Sequence, residues 1–119
     1  MRTVLALSLA IVLAPPASAQ PAEIILLLDC FAFSRLQILC SPPGAFHDSA
    51  DRVSEAFMSE AIRVKKALGI ADRDFSAIAV EALKRQIRQA GAGSPCDAIA
   101  SLWRTYGPVC LVAATGLAK

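Results

Sequence analysis

The chain has 119 residues, 12 Lys and Arg against 10 Asp and Glu, four Cys and a single His, with 55% apolar and 18% charged side chains. That length holds one domain and excludes a TIM barrel or a complete Rossmann domain. The apolar content excludes a disordered tail, and a net charge of +2 supplies no whole-molecule attraction toward nucleic acid or an anionic membrane.

Residues 1–19 have the pattern of a signal peptide. Arg2 gives a short basic start, Val4 to Ala14 form an apolar run, and Ala17-Ser18-Ala19 offer a small-x-small cleavage site. The run is too short to span a hydrocarbon core, which needs about 20 apolar residues. Pro15-Pro16 break it just before the cleavage site. No Cys follows as in a bacterial lipoprotein, and a lone Arg is not a twin-arginine signal. The expectation is export to the bacterial periplasm or the outside medium, with residues 20–119 as a single small domain and no membrane span left in the mature chain.

Residues 22–40 are apolar nearly all round, with Pro21 where a first-turn proline is tolerated and Glu23 placed for the helix dipole. Asp29, Arg35 and Gln37 share no stripe, so the segment reads as a buried helix. Two short strands, 24–28 and 36–40, compete with that reading, because short apolar runs are ambiguous by periodicity. Ser41-Pro42-Pro43-Gly44 stops the segment. The following loop, 41–49, carries Phe46, His47 and Asp48, with Asp48 or Ser49 as the next cap.

Residues 50–68 are amphipathic, with Val53, Phe57, Ala61, Val64 and Leu68 on one face, Glu60 and Arg63 as an i,i+3 pair, and Gly69 fit for the C-terminal turn. Residues 73–90 repeat the pattern. Asp72 or Asp74 caps, Phe75, Ile78, Ala79, Ala82, Leu83, Ile87 and Ala90 turn inward, and Glu81 is placed to pair with Arg85. Ser94-Pro95-Cys96-Asp97 then combine an N-cap, a first-turn proline and an acid, opening a helix that turns Ile99, Leu102, Trp103 and Tyr106 inward and ends at Gly107-Pro108. Trp103 and Tyr106, one turn apart, suit a ligand pocket or an interface anchor in principle and core packing more simply. The apolar tail Val109–Ala114 fits a short helix, a strand or an extended segment. The fold class is therefore all-α: a small disulfide-stapled bundle of about four helices with short, antiparallel connections.

Four Cys in an exported chain of this size read as two disulfides. On a continuous helix Cys30 and Cys40 stand about 15 Å apart along the axis, too far for a bond that needs Cα atoms within about 7 Å. Antiparallel first and fourth helices instead bring Cys40 to Cys96 and Cys30 to Cys110, the preferred pairing. Two strands over 22–40 would favour Cys30–Cys40 with Cys96–Cys110. No Cys-x-x-Cys exists and His47 is the lone imidazole, so the thiols lack the usual zinc and redox spacings, and no metal or cofactor is expected.

Catalytic motifs are missing from the sequence: there is no nucleophile elbow, phosphate loop, dinucleotide fingerprint or His-Glu-x-x-His. His47 beside Asp48 suits acid–base work in principle and a capping loop more simply. Asp29, set in an apolar helix, is either a carboxylate of raised pKa facing a ligand or, more simply, the partner of an Arg. The basic clusters Arg63/Lys65/Lys66 and Lys84/Arg85/Arg88 fall at opposite ends of an up-down bundle, which disfavours one nucleic-acid patch. The leading functional reading is a non-enzymatic protein-interaction module, of the inhibitor, immunity-protein or chaperone type, that binds another exported protein through a helix face or through Phe46, His47 and Asp48. The alternative is a carrier of a small apolar ligand such as an acyl chain, motivated by residues 22–40. An enzyme using Asp29 or His47 is the third.

Overall fold

The computed structural model describes residues 22–117, so the leader assigned to residues 1–19 lies outside the described part. Four α-helices follow one another: α1 (Ala22–Cys40), α2 (Ala45–Leu68), α3 (Asp72–Ala90) and α4 (Ile99–Leu117). A 3-10 turn, Pro95–Ala98, leads into α4, and no strand occurs among the described residues. Residues 22–40 form one helix rather than two short strands.

The central helix is α1. Ile24, Leu28, Cys30, Phe33 and Leu36 are buried on successive faces, and α1 packs against each of the other helices. A helix apolar all round has to be enclosed, and here three amphipathic helices enclose it. Phe57, Ala61 and Val64 face it from α2, Ile78 and Ala82 from α3, and Leu102, Tyr106 and Cys110 from α4.

Local chemistry sets the helix ends. Gly69 takes the left-handed conformation (φ 68°), its N–H bonds the Lys66 carbonyl, and Ile70 N–H bonds the Lys65 carbonyl at 3.0 Å. That double bond is a Schellman turn and needs a residue free of Cβ strain. The next helix starts at once, tied back by Lys65 Nζ to Asp72 at 2.7 Å, with the same ammonium 5.9 Å over the Phe75 ring. Ser94 Oγ accepts from Cys96 N–H, the cap expected there.

The two disulfides join α4 and its lead-in turn to α1: Cys30–Cys110 with Cα atoms 5.4 Å apart, and Cys40–Cys96 at 5.2 Å. Antiparallel α1 and α4 make both bonds possible at once.

Three features differ from the sequence expectation. The segment expected as a loop begins α2 instead: Gly44, at φ 152°, supplies a conformation other residues avoid, and the helix starts at Ala45, so Phe46, His47 and Asp48 form its first turn. Neither Asp48 nor Ser49 caps it. Likewise α3 includes Asp72 and starts from Ala71 without a side-chain cap. Gly107-Pro108 do not end α4, which continues to Leu117. Pro108 removes only the bond to the carbonyl of Arg104, an exposed residue, while Cys110 beyond it is held to α1. Tertiary anchoring outweighs the local break.

Side-chain outcomes also diverge. Arg85 pairs with Asp29 rather than Glu81, and Arg88 takes Glu81 at 2.9 Å. Leu83, Ile87 and Trp103, expected inside, stand partly in solvent. The Glu60–Arg63 pair forms as expected, at 2.6 Å.

Candidate functional site

An apolar concavity lies between α2 and α4. These helices run parallel, each antiparallel to α1, and they touch only lightly, leaving α1 as the floor of a groove. Phe33, Ser34 and Gln37 form that floor, Val53 and Phe57 one wall, and Gly107 and Cys110 the other. Phe46, Trp103 and Leu111 stand at its mouth, 61%, 43% and 58% exposed. The recess holds ≈ 180 Å³ and adjoins another of ≈ 240 Å³, lined by Arg52, Ala56 and Leu117, which shares Ser49, Val53 and Ala114 with it.

Trp103 is positioned by its neighbours. Its ring lies 5.9 Å from that of Phe33, which also stacks with Tyr106 at 5.8 Å. One turn on, Gly107 leaves room for the indole: a Cβ there would sit 2.6 Å from it. Here glycine provides space rather than conformational freedom. The side wall at Cys110 is fixed by its bond to Cys30.

The residues lining the main recess include no Asp, Glu, His, Lys or Arg, so its lining offers apolar contact and shape. Of the three residues in the expected binding loop, Phe46 enters the groove. His47 and Asp48 do not line it: Nδ1 and Oδ1 are 3.7 Å apart, and Asp48 is mostly in solvent.

A polar cluster forms where α1 meets α3 and α4. Arg85 donates to Asp29, Gln86 Nε2 donates to the Asp29 carbonyl at 2.8 Å, and Tyr106 donates to Gln89. Burial pushes the Asp29 carboxyl above its ordinary range, with the Arg85 hydrogen bond and charge pulling it back. Burial and the nearby Asp29 push Tyr106 up as well. Gln86 is fully buried and its Oε1 has no partner. The cluster ties α1, α3 and α4 together, with Asp29 in a partly buried ion pair with Arg85. Among the described residues, no group of three His, Cys, Asp or Glu is placed to hold a metal, and no helix is long and apolar enough to cross a membrane.

Sequence reasoning weighed Trp103 as a pocket or interface residue but preferred the core, and did not join it to Phe46. The available signal was Gly107 four residues after Trp103, a small residue beneath a large one on a helix face. Another was the uncharged stretch from Thr105 to Leu117, too long for a tail after a helix stop.

No protein-family model, curated protein or solved structure matches this chain significantly.

Proposed function

We propose that this chain is an exported, non-enzymatic protein-interaction module whose α2–α4 groove receives apolar side chains of another exported protein. The observation that carries the reading is the mouth of the groove, where Phe46 and Trp103 are held 61% and 43% exposed above an apolar recess. Large aromatics at the rim of a small pocket are the usual anchors of a protein interface. Exposing them costs a free monomer solubility and yields no packing in return. The leader pattern of residues 1–19 and the two disulfides support export to the periplasm or medium.

Groove shape favours a protein over a carried small molecule. Ligand pockets usually enclose most of the ligand's surface. The adjoining recesses here, ≈ 180 and ≈ 240 Å³, are open along one side and would leave a small ligand in solvent. The apolar lining still favours an acyl chain over a polar metabolite as the second reading.

The test is a photo-crosslinking amino acid placed at Phe46 in cells exporting the protein, with Glu55 as the off-groove control. A discrete adduct from position 46 alone supports the reading, and equal labelling from both positions contradicts it. Phe46→Asp should weaken capture of the crosslinked partner by at least about tenfold, the scale of an interface anchor.

A further inference from the structure

Resting on the reading of export with cleavage after Ala19, we infer that the mature N-terminus is a modification site: Gln20 closes on itself to a pyroglutamyl ring. The residues at the cleavage point are Ala17-Ser18-Ala19 and then Gln20-Pro21. Cleavage there creates an α-amine on a glutamine, which Gln37, Gln86 and Gln89 never acquire. The α-amine nitrogen attacks the side-chain amide carbon Cδ. The N–Cδ bond forms, the Cδ–Nε2 bond breaks, and Nε2 leaves as ammonia with the proton that the amine gives up. Nothing is oxidised or reduced, so no co-reactant is needed. The ring has five members and both reacting groups sit on one residue, an arrangement in which proximity favours reaction. An ordinary α-amino group has a pKa of about 7.7–8.0, so roughly a tenth is neutral and nucleophilic at pH 7.

The fold leaves this end accessible and gives the product a use. Helix α1 begins at Ala22, two residues after the new N-terminus, and Ala22 and Glu23 are both exposed. Burial starts only at Ile24. The first N–H groups of a helix have no partner within it and carry partial positive charge, which disfavours a cation placed just ahead of them. Glu23 is the only acid in the first turn of α1, and its charge also acts on Arg63 of α2. Cyclisation removes the terminal ammonium from this positive end. It also removes the free amine that an aminopeptidase needs in order to trim the exported chain.

The test is the intact mass of the unreduced protein recovered from its own exported fraction, with N-terminal sequencing of the same sample. The mass should be that of residues 20–119 less four hydrogens for the two disulfides and less one ammonia, and sequencing should be blocked. The sequence holds no Asn, the other side chain that sheds ammonia by cyclising, so the loss points to Gln20. Gln20→Ser should show no such loss and should sequence normally; an ammonia loss that persists in that variant overturns the assignment. A chain beginning at Gln20 with full mass and a readable N-terminus overturns the ring and leaves export and cleavage standing. So does a chain beginning at Ala22, because the free amine has then attacked the Pro21 carbonyl and expelled Gln20-Pro21 as a cyclic dipeptide. A chain that retains residues 1–19 overturns the cleavage reading and the ring together.

Discussion

Gly107 and Trp103 set the mouth of the groove between them. In a helix interior, Gly to Ala normally stabilises by about 1 kcal/mol. Here the new Cβ would meet the indole at 2.6 Å, so Gly107→Ala should displace the ring, forfeit that gain and shift Trp103 emission to the red. A gain of about 1 kcal/mol with unchanged emission would mean that the indole is not packed on Gly107. Asp29 gives a pH prediction. Its carboxyl is raised chiefly by burial, so the fold binds that proton more tightly than the unfolded chain does. Its contribution to stability is complete below about pH 3.9, the ordinary aspartate value, and is lost as pH rises through the raised folded value. Asp29→Asn should therefore cost more stability at about pH 3.5 than at pH 7, as urea unfolding of both proteins at each pH will read. Glu60, Asp72 and Glu81, lowered by hydrogen bonds from Arg63, Lys65 and Arg88, act with the opposite sign and lose their contribution as pH falls.

At the scale of elements, α4 carries the main surprise. A proline inside a helix costs about 3 kcal/mol when nothing compensates. Pro108 is tolerated because Leu102 and Tyr106 before it and Cys110 after it are buried against α1. Pro108→Ala should thus raise stability by about 1–3 kcal/mol without altering helix content beyond a straighter α4, measured by thermal unfolding followed by circular dichroism. The same helix shows where the sequence was legible. Amphipathic spacing placed α2 and α3 well, because their apolar faces and the Gly69 turn obey local rules. The all-round apolar run of residues 22–40 implied a central helix, and the spacing of Cys30, Cys40, Cys96 and Cys110 fits antiparallel α1 and α4. What was not legible depended on distant contacts. Gly107-Pro108 carry every local sign of a helix stop, and packing against α1 with the bond from Cys110 to Cys30 holds the helix past them. Ala45-Phe46-His47-Asp48 resemble a loop until Gly44 turns the chain early. The groove itself joins Phe46 to Trp103 and Leu111, residues that no periodicity connects.

For the whole molecule, the disulfides and the groove are one design. Cys30–Cys110 closes a loop with sequence separation 80 and Cys40–Cys96 one of 56, worth about 4 kcal/mol each on a chain-entropy account. One bond holds α4 and the other its lead-in turn against α1, and Cys110 also forms part of the groove wall. Replacing Cys30 and Cys110 together by Ala should lower stability by about 2–4 kcal/mol and weaken partner capture beyond what the stability loss explains. Replacing Cys40 and Cys96 should lower stability similarly and leave the mouth near Trp103 less affected, a comparison made by urea unfolding and Trp103 emission on the two oxidised variants.

The central claim is that the groove of the exported chain is a protein-docking surface. Native mass spectrometry of the unreduced protein from its own exported fraction tests it most directly. The account predicts a chain beginning at Gln20 and lighter by four hydrogens, part of it in a discrete complex with another protein that Phe46→Asp abolishes. A chain found wholly bare, or carrying only the extra mass of a small apolar molecule, would contradict it.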